Sequence, residues 1–78
     1  MYNINEREVM KVWVTRDVDL DLVEVNTGDK PYQDKDGDFF GNGVYIGTLC
    51  PEECKKAFGF TPRKGSCKQY ELSLKEIK

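Results

Sequence analysis

Two runs of β-forming residues follow one another so closely that the chain has to reverse between them. Residues 9–15 alternate apolar and polar side chains with the period of two that is typical of a half-buried strand. Residues 20–25 are a second run that is rich in β-formers. One strand over both runs would have 17 residues, whereas strands usually have about 5–6. We therefore predict a hairpin with its tip at residues 16–19, because aspartate side chains hydrogen-bond nearby backbone amides and tolerate turn geometry.

A single continuous strand is the alternative for this region. It would place Asp17, Asp19 and Asp21 on one face of the strand, with successive carboxylates about 6.5–7 Å apart. This spacing resembles that of the phosphates along one strand of a nucleic acid. The alternative therefore predicts a mimic of nucleic acid, whereas the hairpin predicts an acidic turn.

The rest of the chain contains three further elements. Residues 27–43 are dense in Gly, Pro, Asp and Asn, which predicts a long structured loop or a short irregular hairpin. Residues 44–49 read as a strand. Pro51 opens a short helix, and Gly59 is well placed to cap its C-terminal end.

The tail, residues 67–77, fits two patterns. Tyr70, Leu72 and Leu74 alternate as in a strand, but Tyr70, Leu74 and Ile77 also share one face of a helix. We predict a strand, which gives the order β-β-loop-β-α-β. The fold class is then α+β, with one short helix across a small antiparallel sheet.

The size of the chain limits its core. With 78 residues, we expect a single domain with a thin core. Chains of this size often gain stability from a disulfide, a metal ion or a second subunit, so we expect a homodimer as one such route.

Negative charge is concentrated in residues 17–38. Seven aspartates and Glu24 face only Lys30 and Lys35 there, which leaves six net negative charges, whereas the whole chain carries a net charge of −2. Charge that is segregated in this way builds a local field that can select partners.

Aromatic side chains lie among these acids. Tyr32, Phe39 and Phe40 could act as anchors that supply affinity while the charges steer the encounter, or they could instead close the thin core. On the first reading, we predict a surface that binds a protein partner. Its residues are Asp17, Asp19, Asp21, Tyr32, Asp34, Asp36, Asp38, Phe39 and Phe40.

The sequence favours a protein without catalytic residues. It has no histidine, the commonest general base near neutral pH. Cys50, before the helix, is the one candidate nucleophile, and no base or orienting group accompanies it. With Cys54 and Cys67 it makes an odd number of cysteines, which favours reduced thiols in the cytoplasm.

We expect no metal ion and no other cofactor. Three cysteines without histidine do not make a usual zinc site. Residues 34–38 begin like a calcium loop, but the sixth position is Phe39 and the twelfth is Tyr45. The basic residues are too few in one place to bind DNA or RNA directly. No apolar run approaches the roughly 20 residues that cross a bilayer, so we expect no membrane association.

The chain resembles a group of short proteins carried by phages and prophages of gut bacteria. In that group a strand ends in Arg-Asp and an acidic turn leads to Lys-Pro, as at Arg16 and Asp17 and at Lys30 and Pro31 here. An aromatic Gly-Asn stretch, a strand, a short helix and an alternating C-terminal strand follow. The matching segments here are residues 10–17, 30–31, 40–47, 49–52 and 63–74.

This resemblance supports a strand for the tail and implies a mobile genetic element as the setting. It also implies that residues 10–78 form the domain and that residues 1–9 form an N-terminal extension. It brings no known activity with it. Small acidic proteins in that setting often block a host factor, so it implies a cytoplasmic protein that binds a host protein, such as a host defence enzyme or another enzyme that binds nucleic acid.

A binder of small molecules is the competing prediction. In it, a homodimer or larger ring would form a pocket for a nucleotide or signal ligand where subunits meet. Trp13 or Tyr45 would stack on the ligand. The residues that would meet its anionic groups are Lys55, Lys56, Arg63 and Lys64.

Overall fold

An antiparallel sheet of four strands forms the frame of the protein, in the order β5-β2-β1-β6, and a two-stranded hairpin, β3-β4, lies beside it. The structure is a computed structural model and describes residues 8–74. Its elements are β1 (Glu8–Arg16), β2 (Val23–Asn26), β3 (Asp29–Gln33), β4 (Phe39–Asn42), β5 (Tyr45–Leu49), α1 (Pro51–Phe58) and β6 (Cys67–Leu74).

One face of the four-stranded sheet carries the core. The alternation in β1 buries Val12 and Val14, which are 1% and 3% exposed, as their period of two predicts. Val25 of β2 lies opposite Val14 in the ladder. Cys54 of α1 belongs to the same buried cluster, so the helix lies against this face. Partly buried side chains of β1, β5 and β6 extend the cluster, namely Met10, Leu49, Tyr70 and Leu72.

Helix α1 begins and ends where the sequence predicts. Pro51 occupies its first turn, and the Oε1 atom of Glu53 accepts the N–H of Cys50 at 2.9 Å. This hydrogen bond holds the pKa of Glu53 below its ordinary value. Gly59, in the left-handed conformation, donates its N–H to the carbonyl of Lys55 at 2.8 Å. No helix formed by residues 8–74 is long and apolar enough to cross a membrane.

The β3-β4 hairpin covers the other face of the sheet. Trp13, which alternates with the buried valines of β1, donates its indole N–H to the carbonyl of Gly28 at 2.9 Å. Thr15 and Asn26 lie on the same face and are 0% and 4% exposed. Phe39, the first residue of β4, is 6% exposed. The hairpin thus closes a second, smaller buried region.

The tail strand is confirmed, because β6 pairs with β1 in an antiparallel ladder from Cys67 to Leu74. The prediction for residues 75–77 lies outside the described residues. Residues 27–43 form the hairpin, which is one of the two predicted arrangements, so residues 8–74 contain two more strands than the order β-β-loop-β-α-β.

The first reversal differs in extent from the prediction. Residues 17–22 form the turn and β2 begins at Val23, because Asp17 donates its N–H to the carbonyl of Leu22 at 3.0 Å. Asp21 takes the left-handed conformation, with φ +56°, inside this turn. The alternative of one continuous strand is therefore wrong, and Asp17, Asp19 and Asp21 do not form the regular row along one strand on which the predicted mimicry of nucleic acid depended.

The N-terminal boundary of the domain also differs from the predicted one, which is residue 10. Residue Glu8 pairs with Leu74, so residues 8 and 9 belong to β1 rather than to an N-terminal extension. The remainder of the predicted extension, residues 1–7, lies outside the described residues.

Replacing Gly43 with alanine should destabilise the protein. A Cβ atom at this position would collide with the carbonyl oxygen of Thr27 and lie 2.7 Å from its carbonyl carbon, so the backbone has to move. We expect Gly43→Ala to lower the free energy of unfolding by about 1–3 kcal/mol, measured by urea denaturation.

Gly47→Ala is the matched control, because a Cβ there would meet nothing within 4 Å. We expect this variant to be as stable as the wild type. An equal loss of stability in both variants would contradict the close approach of the hairpin to residue 27.

Candidate functional site

Two acidic turns meet at one end of the sheet. The first acidic turn is residues 17–22, between β1 and β2, and the second acidic turn is residues 34–38, between β3 and β4. Val18 donates its N–H to the carbonyl of Gly37 at 3.3 Å. A Cβ on Gly37 would lie 2.8 Å from Cγ2 of Val18, and the φ of Gly37 is +91°. Glycine therefore lets the two turns come into direct contact.

Asp17 connects the two turns from inside the protein. Its side chain is buried, since the residue is 3% exposed, and its Oδ1 accepts the N–H of Phe39 at 3.0 Å. A hydrogen bond to a charged group contributes about 1.5–3 kcal/mol. Asp17 thus fixes the start of β4 against the end of β1.

Asp34 organises the second acidic turn. Its Oδ1 accepts the backbone N–H groups of Asp36, at 2.9 Å, and of Asp38, at 3.0 Å. This arrangement is the usual way in which an aspartate stabilises a tight turn. It leaves Asp36 exposed and Asp38 half-buried beside the first acidic turn.

Asp21 is the one carboxylate of this region that pairs with a cation in the part of the chain that the structure describes. Its Oδ1 lies 2.7 Å from Nε and 2.7 Å from Nη2 of Arg16. The third guanidinium nitrogen, Nη1, donates to the carbonyl of Pro62 at 2.6 Å. Arg16 is therefore held in place and neutralises a single acid of the first acidic turn.

The other acids repel one another. Partial burial raises the pKa of Asp38 above its ordinary value, and the charges of Asp19, Asp17, Asp34 and Asp36 raise it further. Oδ1 of Asp38 is buried and has no hydrogen-bond partner among the described residues. The carboxylates thus lie close enough for their charges to interact.

An open cleft of about 410 Å³ adjoins these turns, between the hairpin and strands β2 and β5. Asp17, Glu24 and Asp38 contribute carboxyl groups to its lining. Burial, and then the charge of Asp17, raise the pKa of Glu24. We call this feature the acidic cleft.

Exposed apolar side chains border the acidic cleft. Leu20, Phe40 and Tyr45 line it and are 62%, 54% and 57% exposed. Tyr32, which is also exposed, lies against Phe40 with 6.4 Å between the ring centres. These four residues form the apolar rim. Neighbouring large apolar side chains left in water often mark an interaction surface.

The structure brings the predicted surface together but places two of its residues at the bottom of the acidic cleft. Asp17 and Phe39 line the cleft but are only 3% and 6% exposed, so they hold its shape and offer little surface for a contact. The other predicted residues remain on the two turns and the hairpin, namely Asp19, Asp21, Tyr32, Asp34, Asp36, Asp38 and Phe40.

Sequence reasoning did not place Leu20, Glu24 and Tyr45 on this surface, although it named Tyr45 as a candidate to stack on a small ligand. Glu24 could have been found, because it stands between Val23 and Val25 and alternation places it on the face opposite the core. Leu20 was assigned to a strand, and its exposure follows from the longer turn.

The residues proposed for an anionic ligand are not assembled in one copy of the chain. Arg63 lines a depression of about 120 Å³ together with Lys68, whereas ligand pockets usually measure about 300–1,000 Å³. Lys55 and Lys56 are exposed on α1. The indole N–H of Trp13 is already engaged with Gly28.

The two thiols with perturbed acidity favour the neutral form. Burial raises the pKa of Cys54 in α1 and of Cys67 in β6. Cys50, the candidate nucleophile, lies half-buried before the first turn of α1, and its backbone N–H is bonded to Glu53.

Comparisons with protein-family models, with curated proteins and with solved structures gave no match to this chain.

The repulsion at Asp38 predicts a dependence of stability on pH. Since folding raises the pKa of Asp38 and Glu24, these groups bind protons more tightly in the folded chain than in the unfolded chain. The loss of stability caused by these raised pKa values is fully present at a pH above the pKa of the folded state. It disappears at a pH below the pKa of the unfolded state. We expect the melting temperature to rise as the pH falls from 7 to about 5, a range in which Glu53 stays ionised.

Asp38→Asn should remove part of this dependence. We expect it to melt at a higher temperature than the wild type at pH 7 and at a similar temperature near pH 4, as measured by circular dichroism. Asp29→Asn, which changes an exposed acid at the start of β3, is the control and should have little effect. Parallel pH profiles for wild type and Asp38→Asn would contradict the repulsion.

Asp17→Ala should uncouple the hairpin from the sheet. Loss of the acceptor leaves the buried N–H of Phe39 without its partner, so we expect a loss of about 2 kcal/mol in the free energy of unfolding. Asp17→Asn keeps an acceptor oxygen and should lose less. Native-state hydrogen exchange should show faster exchange of the Phe39 amide in the alanine variant, and unchanged protection of that amide would contradict the assignment.

Proposed function

We propose that this protein is a non-catalytic binding module that docks on a basic surface of a protein partner through the acidic cleft and the apolar rim. The observation that supports this most is the group of carboxylates around Asp38, whose pKa is raised first by burial and then by the charges of these acids, while Arg16 neutralises only Asp21 among the described acids. A protein partner that supplied cations here would relieve the repulsion.

The carboxylates of the acidic turns and the side chains of the apolar rim would contribute to binding in different ways. Carboxylates on the turns would speed the encounter with a positively charged partner, since complementary potentials raise association rates. Phe40 and Tyr45 would then bury apolar area against it, and aromatic side chains commonly dominate binding energy. A cation placed beside Asp38 would also lower the pKa of that group, so binding should release protons in the pH range where Asp38 titrates.

The class of partner follows from the charge and from the resemblance to phage-borne proteins. Enzymes that act on nucleic acids carry basic grooves, because they neutralise phosphates with Lys and Arg. We propose a host protein of this class, such as a defence enzyme, as the partner in the host cytoplasm. The acidic cleft and rim would occupy its groove and exclude the nucleic acid.

A defined probe tests the chemistry of the site. The probe is a synthetic peptide of alternating arginine and leucine, and binding is measured by calorimetry at two salt concentrations. We expect Asp19→Lys combined with Asp36→Lys to weaken binding about tenfold or more at low salt, and we expect salt to weaken binding by the wild type.

The matched control is Asp29→Lys combined with Glu52→Lys, which changes the net charge by the same amount at exposed acids outside the two acidic turns. Binding by this variant should change by less than about twofold. Equal losses in both double variants would mean that net charge, and not this surface, attracts the peptide.

Two further arms separate the apolar and ionic contributions. Phe40→Ala should weaken binding of the arginine-leucine peptide but not of an arginine-glycine peptide, because only the first has side chains to bury against the apolar rim. Spermidine, a small cation without apolar surface, should bind weakly. If spermidine bound as tightly as the peptide, the site would be one for a small polyamine instead.

A further inference from the structure

Strand β6 forms an edge of the four-stranded sheet that no other described strand pairs with. It pairs with β1 over eight residues without a register shift. Natural proteins usually protect such an edge with a bulge, a proline or several charges. β6 contains no proline, and Lys68 is its single lysine.

The hydrogen-bonding groups of this edge can be assigned from the ladder. Arg16 donates its N–H toward β6, to Ser66, and Asp17 donates in the opposite direction, to Leu22. Since alternate residues of a strand bond to opposite neighbours, the β6 residues opposite Met10, Val12 and Val14 face β1. The N–H and C=O groups that point away from the sheet belong to Cys67, Gln69, Glu71 and Ser73.

An apolar groove runs beside the same edge. It has a volume of about 150 Å³ and lies between α1 and β6, where Phe58, Phe60, Tyr70 and Leu72 line it. The rings of Phe60 and Tyr70 are 4.9 Å apart. A strand added to β6 would place its alternate side chains next to Tyr70 and Leu72, so it would gain both backbone hydrogen bonds and apolar contact.

We propose that a second copy of this chain occupies this edge, and that two β6 strands pair antiparallel about Tyr70 to form a continuous eight-stranded sheet. A two-fold axis at Tyr70 places this residue opposite its own copy. It also places Gln69 opposite Glu71 of the second copy and Cys67 opposite Ser73. Each outward hydrogen-bonding residue then meets another outward residue, as an antiparallel pair requires.

Repulsion between like charges and the length over which the two strands overlap both favour this register over the two neighbouring registers. Moving the axis to Glu71 would bring two glutamates face to face, which is unfavourable in a strand pair. Moving it to Gln69 shortens the overlap, because Cys67 begins the strand and would then pair with Glu71. The axis at Tyr70 uses β6 from Cys67 to Ser73 and also pairs two aromatic rings across the seam.

The antiparallel arrangement also separates the acidic ends. The two acidic turns follow the end of β1, which is the end of the sheet where β6 begins. Antiparallel pairing therefore places the two clusters at opposite ends of the dimer, whereas parallel pairing would bring like charges together. The acidic cleft borders β5, at the other edge of the sheet, and stays open in both copies.

Sedimentation of matched charge variants tests the pairing. A single strand pair with its groove makes a small interface, so we expect a dissociation constant on the order of micromolar for the wild type. Gln69→Glu places like charges opposite Glu71 at two symmetric positions and should weaken the dimer about fivefold. Gln69→Lys places opposite charges there and should tighten it by a similar factor.

Gln33→Glu and Gln33→Lys provide the control, because Gln33 is exposed on β3 and the same net charge changes occur away from β6. Both should leave the dimer unchanged. A wild type that stays monomeric at about 500 µM, far above a micromolar dissociation constant, would overturn the proposal. Effects of equal sign for both Gln69 variants, or none, would overturn it too.

Disulfide trapping gives a second readout that does not depend on affinity. Ser73→Cys would face Cys67 of the second copy at the Cα separation of a strand pair, about 5.5 Å, which suits a disulfide. With diamide as oxidant, we expect a covalent dimer from this variant. Glu71→Cys, which faces Gln69, should give little. Equal trapping of both variants would contradict the register.

Discussion

The hydrogen bond from the backbone of Phe39 to the buried carboxylate of Asp17 is the interaction on which the acidic end of this protein depends. It joins a turn of the main sheet to the hairpin, which shares no ladder with that sheet, at the first residue of β4. Because it brings the two acidic turns together, it also creates the electrostatic repulsion at Asp38. The position of the hairpin and the repulsion between the acids therefore both depend on the side chain of Asp17.

This coupling explains how a small chain can keep unfavourable charge. The core on the opposite face is built from valines of β1 and β2 with Cys54 of α1, and it does not involve the acids. The main core and the acidic cleft thus lie on different faces of one sheet. Repulsion between the carboxylates lowers the free energy of unfolding, and burial of the core offsets this loss. A partner with cations would remove the repulsion on binding.

The sequence predicts the strands that alternate and the helix that is capped, because period and capping chemistry act locally. β1, α1 and β6 follow from Val12 and Val14, from Pro51 and Gly59, and from Tyr70 and Leu72. The hairpin is less predictable, since its place depends on the contact between Val18 and Gly37, which are far apart in sequence. The packing of the hairpin on the sheet decides which acids cluster and which face of β4 is covered, and alternation along β4 then buries Phe39 and exposes Phe40. Composition locates the acidic segment, but only the tertiary packing divides it into structural and exposed carboxylates.

The pairing of Glu8 with Leu74 sets the geometry at the far end of the molecule. β1 begins and β6 ends side by side there, roughly 26 Å along β1 from the acidic turns. A linker joined directly to this end of the sheet would therefore attach far from the acidic cleft. Immobilisation at this end would present every molecule with its two acidic turns facing solution.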